Sequence, residues 1–279
     1  MNALTAFDEL PLALVMVLSV LSMVAFIEFG FQVGTRHKSK QHKAQLAQVR
    51  AIMGASLGLL AFMLAFSFSM AQQHFEQRTQ AYMLEISAID SAYRGADLLE
   101  NDQAEASKDI LRRFAALRLK TTEMARAKTA TAEDLARLIR ESEEMHDQLW
   151  KLAESAMAGA GEGADTGIFA QSVLAMIDAH DARLQATLFN RISPVIWITL
   201  FLMALLSMIV MGYQAGLTGT RSRLATWTLA ITFSAVMALV TDLDRPNMSL
   251  FSLNQQLMKE LEKRMVEDQY SNHVNLPHK

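Results

Sequence analysis

Four apolar stretches alternate with segments of mixed polarity along the chain, and each is long enough or nearly long enough to cross a bilayer. These stretches are Leu10–Val33, Ile52–Ala71, Val195–Gly212 and Leu224–Val240. A helix needs about 20 apolar residues to span the hydrocarbon core. We therefore predict four transmembrane helices. The first stretch is too long for a signal-peptide core and no small-residue cleavage pattern follows it, so we expect it to be retained.

Between the second and third apolar stretches, apolar residues recur every three or four positions, which is typical of amphipathic helices. The stripes run from Tyr82 to Ala96, from Ile110 to Met124, from Leu135 to Leu152 and from Phe169 to Leu188. Polar or glycine-containing breaks separate them at Glu100–Gln103, at Thr129–Glu133 and at 158–167. Thr131 is the predicted N-cap of the third helix. Four helices of this kind predict an antiparallel bundle.

The predicted fold class is all-α, a polytopic membrane protein with four transmembrane helices and an extramembrane antiparallel helical bundle. No break separates the second apolar stretch from the first stripe, so one helix is predicted from Arg50 to Leu99, about 75 Å long. The predicted domains are transmembrane helices 1 and 2 with a short basic loop (1–73), the bundle (74–193), transmembrane helices 3 and 4 (194–242) and an extramembrane helical tail (243–279).

Composition agrees with a helical membrane protein. Apolar residues make up 51% of the 279 positions, the mean hydropathy is +0.15, and 18 Met stand against 4 Pro. A net charge of −3 argues against nucleic acid as a partner. The chain contains no cysteine, which excludes disulfides, thiol chemistry and zinc–thiolate sites.

Two short loops carry basic residues and no acids, which predicts the orientation in the membrane. Residues 35–50 contain five Lys or Arg, and residues 217–224 contain Arg221 and Arg223. Basic short loops favour the cytoplasmic side. We therefore expect both loops in the cytoplasm, and the bundle and both termini on the outer side.

A stripe of bulky apolar side chains follows the second transmembrane helix. Phe62, Phe66 and Met70 are spaced four residues apart, so they lie on one helix face. In an oligomer, three such residues form stacked hydrophobic rings that gate conduction by dewetting. The alternative is that the stripe faces lipid or a neighbouring helix.

Small residues and intramembrane charges are the other candidate functional positions. Small residues at three- and four-residue spacing on the second helix predict close helix packing at Gly54, Gly58, Ala61 and Ala65. Glu28 is a carboxylate within an otherwise apolar run, so we expect it to be paired or to face water. Asp242, Asp244 and Arg245 close the fourth span, either as a helix-ending turn or as a charged ring at a pore mouth.

One pattern resembles the metal-binding motif of di-iron helical bundles. Glu143 and His146 form a Glu-x-x-His pair, and Glu85 and Glu123 are available as single carboxylates. A second Glu-x-x-His is missing, and His180 lies on an apolar stripe, where we interpret it as a hydrogen-bonded core histidine. We predict no metal, no cofactor and no enzymatic activity, because no catalytic triad is recognisable either.

Several segments carry a family resemblance. The segments "LLAFMLAFSFSMAQQHFEQR", "EISAIDSAYRGADLL", "LRRFAALRL", "MIDAHDARL" and "TDLDRPN" resemble, in order and spacing, the bestrophin-like domain family of bacterial membrane proteins. The resemblance extends over roughly residues 50–257. Together these segments form a fairly specific pattern, whereas any one of them alone is a weak signal.

The resemblance implies a distant likeness to bestrophins, which are pentameric anion channels. Their pore neck is lined by three apolar side chains one turn apart on the second span, a pattern that Phe62, Phe66 and Met70 match. It implies a homo-oligomer in the bacterial inner membrane that conducts inorganic ions through the lipid bilayer. Bestrophins keep their bulk and both termini in the cytoplasm, which is opposite to the orientation predicted from the loop charges.

Two hypotheses about function remain at this stage. The first is an oligomeric ion channel with an apolar neck on the second transmembrane helix. The second is a non-conducting membrane receptor or scaffold whose extramembrane bundle binds a partner protein. They differ in what the bulky face of the second helix contacts: a water-filled axis in a channel, lipid or another helix in a scaffold.

Overall fold

The chain is almost entirely helical in the computed structural model, which describes residues 11–37, 43–127, 129, 131–159, 164–188, 190–220, 222–245 and 256–274. The α-helices in chain order are α1 (Leu12–His37), α2 (Lys43–Gly95), α3 (Asn101–Ala127), α4 (Ala132–Gly159), α5 (Ala164–Leu188), α6 (Pro194–Thr218), α7 (Arg223–Asp244) and α8 (Gln256–Val274). A short 3₁₀ helix, Ala96–Leu98, follows α2. The described residues contain no strand, which confirms the all-α class.

Among the described residues, four helices are long and apolar enough to cross a membrane, as predicted. They are α1, α2, α6 and α7. The chain divides into two compact units, a membrane unit (Met1–Phe75 with Arg191–Leu250) and a bundle unit (Glu76–Asn190 with Phe251–Lys279). Each unit is built from two segments of chain that are distant in sequence.

In the membrane unit, α1 and α6 approach so closely that their backbones are in contact. A Cβ atom built on Gly212 would lie 2.0 Å from the carbonyl oxygen of Ile27, and one built on Gly30 would lie 2.1 Å from that of Ile209. Gly34 and Gly216 repeat this contact one turn further along. Glycines four residues apart allow such an approach because they present no side chain to the facing helix.

The apolar core of the membrane unit surrounds this contact. Helix α1 also packs against α7. The buried side chains of this core include Met23, Leu200, Met208 and Ala230, together with Leu60 and Leu64 from α2. Helix α2 therefore joins the core along the face that carries Leu60 and Leu64.

The bundle unit has its own core, formed by the end of α2 with α3, α4, α5 and α8. Buried residues from each predicted stripe meet there, including Ile89, Phe114, Leu149 and Phe169. The tail helix α8 adds Met258, Leu261 and Met265, which lie in the same cluster. The stripes of the sequence therefore mark the buried faces of the bundle helices.

A polar network also connects α8 to the bundle. The hydroxyl of Tyr93 donates to a carboxylate oxygen of Asp268 at 2.9 Å, and Lys108 donates to the same oxygen at 3.2 Å. Lys108 also forms an ion pair with Asp97 at 2.5 Å. The buried stem of Lys108 thus carries a charge that two carboxylates neutralise.

The helix boundaries differ from the prediction in detail. Thr131 is confirmed as the N-cap of α4, because its hydroxyl accepts the Asp134 backbone N–H at 3.1 Å and donates to the Asp134 carboxylate at 2.7 Å. The break predicted at Glu100–Gln103 is shorter, since α3 already begins at Asn101. The glycine-containing loop is also shorter, because α4 continues to Gly159 and α5 begins at Ala164; residues 160–163 lie outside the described residues.

We expect Gly212→Ala to destabilise the membrane unit, because the new methyl group clashes with a backbone carbonyl. A backbone atom, unlike a side chain, cannot change rotamer to relieve the clash. Overpacking of this kind costs about 1–3 kcal/mol, which corresponds to an apparent Tm lower by about 3–10 °C. Thermal unfolding in detergent, followed by tryptophan fluorescence, measures the change.

Gly167→Ala is the matched control, since a Cβ there meets nothing within 4 Å. Its Tm should equal or slightly exceed that of the wild type, because Ala is the better helix former. Equal Tm values for the two variants would contradict the proposed backbone contact.

Candidate functional site

The two phenylalanines of the bulky stripe of α2 lie on the face opposite to the one that packs within the chain. Phe62 is 66% exposed and Phe66 is 52% exposed, and Met70 is half-buried. Leu60 and Leu64 are buried and each lies two positions from a Phe, about 200° around the helix. Within its own chain, the two Phe side chains of the stripe therefore point away from the other apolar helices.

The small residues of α2 are open as well. A Cβ built on Gly54 or Gly58 would meet nothing within 4 Å, and Ala61 and Ala65 are exposed. Their predicted role in helix packing therefore needs a surface other than the described residues of this chain, and it stays a prediction. Within the described part of the chain, the glycines that approach another helix's backbone most closely are those between α1 and α6.

The charged residues at the end of α7 are mostly covered. Asp242 and Arg245 are buried. An Asp244 carboxylate oxygen accepts the backbone N–H of Ile192 at 2.9 Å, which ties the end of α7 to the start of α6. These contacts give Asp244 a structural role at the helix end, while a charged ring at a pore mouth stays a prediction. Glu28 is half-buried in α1 and lines a cavity.

A buried ionic cluster joins three helices of the bundle unit. The carboxylate of Glu85 in α2 is fully buried, and the Nε atom of Arg118 in α3 lies 3.0 Å from its Oε1. From α5, the Nδ1–H of His180 donates to Oε1 at 2.7 Å, and the Arg183 guanidinium donates to Oε2. We call these four residues the Glu85 cluster.

The charges of the Glu85 cluster stabilise one another. Burial alone raises the pKa of Glu85, but the neighbouring charges of Arg183 and Arg118 lower it to about 2. Burial, followed by repulsion from Arg183, lowers the pKa of Arg118 to about 10. Both side chains are therefore ionised at neutral pH.

His146 of α4 packs against this cluster as a neutral side chain. Its ring centroid lies 4.9 Å from that of His180 and 5.0 Å from that of Phe114. No described group forms a hydrogen bond with its Nε2 atom. Burial, and then the neighbouring His180, lower the pKa of His146 to about 4.

The residues of the pattern that resembles a di-iron site do not come together. Glu143 is exposed on α4, and Glu123 forms a surface ion pair with Lys259 at 3.0 Å. The interpretation of His180 as a hydrogen-bonded core histidine is confirmed by its contact with Glu85. Among the residues described, no three His, Asp or Glu are grouped so that they could hold a metal ion.

Sequence reasoning missed the two arginines of the Glu85 cluster, of which Arg118 is buried and Arg183 is partly buried. Arg118 lies four residues after Phe114 and Arg183 lies three residues after His180, so each falls at the spacing of its apolar stripe. A charged residue in phase with a stripe is a usable signal of a buried ion pair. Glu85 follows Tyr82 at the same spacing.

Comparisons with known proteins agree with this architecture. A family model described as the Bestrophin-like domain matches residues 12–252. A solved structure of a point mutant of a bacterial bestrophin homologue from Klebsiella pneumoniae is similar, with a TM-score of 0.58 and 15% identity. The match covers 91% of this chain and 97% of that chain, and at this identity it shows the fold alone. Among curated proteins, none matches the sequence.

We expect Glu85→Gln to destabilise the bundle unit by about 3–5 kcal/mol, because it leaves the buried guanidinium group of Arg118 and the partly buried one of Arg183 without their carboxylate. Chemical unfolding followed by circular dichroism measures the loss. Glu123→Gln is the matched control, since it removes only an exposed ion pair worth about 0–1 kcal/mol. Similar losses for the two variants would show that the Glu85 cluster contributes no more than a surface pair.

Acid should destabilise the bundle through His146. Between about pH 6.5 and pH 4 the unfolded chain binds a proton at this residue that the folded chain excludes, so stability falls as the pH falls. The slope from one such group reaches about 1.4 kcal/mol per pH unit. Glu85 adds a loss at lower pH, since its carboxylate stays ionised in the folded chain below the pH at which the unfolded chain protonates it.

His146→Leu should flatten the stability profile between pH 6.5 and pH 4, whatever its effect on stability at pH 7.5. His37→Gln, at an exposed position, serves as the control and should keep the wild-type slope. An unchanged slope in His146→Leu would mean that His146 is protonated in the folded bundle at the same pH as in the unfolded chain.

Proposed function

Because this chain belongs to the bestrophin-like domain family, we propose that it is the subunit of an oligomeric ion channel. The membrane segment of α2, residues 52–71, lines the pore. Phe62, Phe66 and Met70 form its apolar neck. The proposal requires that several copies of α2 surround one axis.

The exposure of α2 is the observation that carries this proposal. In the most apolar part of α2, 17% of the residues are buried within the chain, compared with 28% in each of α1, α6 and α7. The buried positions Leu60 and Leu64 hold one face of α2 against its own chain. The opposite face, which carries Phe62 and Phe66, is left for a pore axis.

The geometry of the stripe suits a hydrophobic neck. Side chains four residues apart are separated by about one helical turn, close to 5.4 Å along the helix. Symmetry-related copies would therefore stack three apolar rings along the axis. Rings of this kind close a pore by dewetting and open it when they widen or rotate.

The small residues of α2 support a ring of subunits. Ala61 and Ala65 each precede a Phe by one position, about 100° to one side of the stripe. That side lies between the pore-facing stripe and the face that packs within the chain. We propose that it receives a helix of the neighbouring subunit, as rows of small residues do in membrane helix pairs.

The finer properties of the channel come from the family resemblance and from the loop charges. The resemblance supports anions as the conducted ions and five as the number of subunits. The basic loops support a multi-pass topology in the inner membrane, with the loops in the cytoplasm and the bundle in the periplasm. Asp242 and Asp244 would then lie toward the outer end of the pore, with Arg245 as a compensating charge.

Single-channel recording in planar bilayers tests the proposed function. Wild-type protein should conduct, and the double variant Phe62→Ala/Phe66→Ala should show a higher open probability or a steady leak, because small side chains leave the neck wet. Leu206→Ala is the control, since Leu206 is exposed on α6 away from the proposed neck. Reversal potentials in asymmetric salt give the sign of the conducted ion.

Native mass spectrometry of the same samples gives the number of subunits and shows that the variants are assembled. A well-folded oligomer that stays silent across ions, pH and voltage would overturn the channel proposal. The bundle would then be the functional part of the molecule, as a scaffold for a partner protein. If the double variant conducts with wild-type gating, the protein is a channel but Phe62 and Phe66 do not form its neck.

A further inference from the structure

Helix α4 is held in the bundle by apolar packing, whereas polar contacts join the other bundle helices to one another. The Glu85 cluster joins α2, α3 and α5, and Asp268 joins α8 to α2 and α3 through Tyr93 and Lys108. Among the described residues, the side-chain hydrogen bonds and ion pairs of α4 stay within α4 and its N-cap. Helix α4 therefore depends on its apolar face, which packs against α3 and α5.

His146 lies in the middle of this apolar face. Leu138, Met145 and Leu149 are buried on the same side of α4, and His146 itself is 6% exposed. A neutral imidazole suits the site, because it carries no charge and one of its ring nitrogens is an acceptor. An imidazolium has an N–H on both nitrogens, and the Nε2 atom of His146 has no hydrogen-bond partner among the described groups. Protonation would therefore bury a charge and an unpaired donor, which is costly.

Charged and titratable groups face His146 from three helices. They are Glu85 of α2, Arg118 of α3, and His180 and Asp181 of α5. Glu85 attracts a proton to His146, but the guanidinium groups of Arg118 and Arg183 already oppose its charge. Asp181 also attracts the proton, yet it is exposed, and solvent screens its charge. The cluster beside His146 is thus positive before any histidine is protonated, and it disfavours a further proton in the packed bundle.

We propose that His146 operates a pH-sensitive switch, in which its protonation releases α4 from the bundle while the Glu85 cluster keeps α2, α3 and α5 together. In the released helix, water supplies the hydrogen-bond partners and the hydration that an imidazolium needs. The apolar face of α4 then leaves the core. On the outer side of the membrane, where we propose that the bundle lies, such a switch responds to the pH of the surroundings.

The two ionisable parts of the bundle titrate in separate pH ranges. Burial, and then the neighbouring His180, hold the pKa of His146 at about 4 in the packed helix, and in a released helix it returns to about 6.5. Release therefore becomes more favourable as the pH falls from about 6.5 to about 4, and gains nothing further below that range. Because the pKa of Glu85 is about 2, its carboxylate stays ionised throughout. The Glu85 cluster can thus persist while α4 opens.

Hydrogen exchange tests the switch in the full-length protein in detergent, with the exchange of each helix followed by mass spectrometry of its peptides. Each rate is divided by the rate of an unstructured peptide at the same pH, which gives a protection factor. The protection of α4 should fall about 30-fold from pH 7.5 to pH 5, the factor for a pKa that changes from about 6.5 to about 4. At pH 5, α4 should be at least about tenfold less protected than α3 and α5, because it opens without them.

Two variants at the same position keep this test decisive. His146→Leu and His146→Gln both remove the titrating group, one with an apolar and one with a polar side chain, so that a folding defect in one leaves the other. In both, the protection of α4 should change little between pH 7.5 and pH 5. His37→Gln, at an exposed position, is the control and should keep the wild-type response. Equal protection of α3, α4 and α5 at pH 5, or a wild-type response in either His146 variant, would overturn the proposal.

Distances between spin labels provide a second measurement with His146 in place. The chain has no cysteine, so labels attach only where one is introduced. Gln148→Cys with Ala175→Cys reports the separation of α4 and α5, and Ala116→Cys with Ala175→Cys reports that of α3 and α5; all three positions are exposed.

From pH 7.5 to pH 4, the α4–α5 distances should lengthen and broaden, while the α3–α5 distances stay the same. An α4–α5 distribution that does not change, or two pairs that change together, would contradict the switch. Neither measurement needs an ion current, so the switch and the proposed channel activity succeed or fail separately.

Discussion

The backbones of α1 and α6 touch at four glycines, and the arrangement of the membrane unit depends on that contact. Cβ atoms built on these glycines would lie between 2.0 and 2.4 Å from carbonyl oxygens of the facing helix, so no side chain fits there. Helix α1 also packs against α7, and α2 adds Leu60 and Leu64 to the same core. Helix α2 joins this core along one face, and its Phe62 and Phe66 side chains remain exposed on the other.

The bundle unit contains a buried ionic interaction in addition to its apolar core. Its core contains the Glu85 cluster, in which one buried carboxylate faces two guanidinium groups and a histidine. The net stabilisation from buried ion pairs is small, because removing charges from water offsets most of their attraction. Their effect on geometry is larger: Glu85 is satisfied only when α2, α3 and α5 are aligned at one level. We interpret the cluster as the element that fixes the register of the bundle helices.

Much of the fold could be predicted from sequence periodicity, because burial of an apolar face is a property of each helix alone. The four membrane-length helices, the stripes of the bundle and the cap at Thr131 are of this kind. Pairing between distant helices is a different matter. Three helices each carry two glycines four residues apart, and these pairs begin at Gly30, Gly54 and Gly212. Their spacing does not indicate which two of the three helices come into contact. For the same reason, the positions of Arg118 and Arg183 along the chain do not identify Glu85 as their shared partner.

Of these three glycine pairs, the one on α2 has no facing helix among the described residues. A Cβ on Gly54 or Gly58 meets nothing within 4 Å, whereas a Cβ on either glycine of α1 or α6 would clash with the backbone of the other helix. A helix that faces only lipid gains nothing from glycine, which costs about 1 kcal/mol relative to alanine in a helix interior. Close contact with another helix recovers that cost through backbone packing. The open glycines of α2 therefore support the proposed oligomer, in which a second copy of the chain covers this surface, more strongly than they support contact with lipid. In that proposed arrangement the Phe stripe beside them would lie close to the interface between subunits.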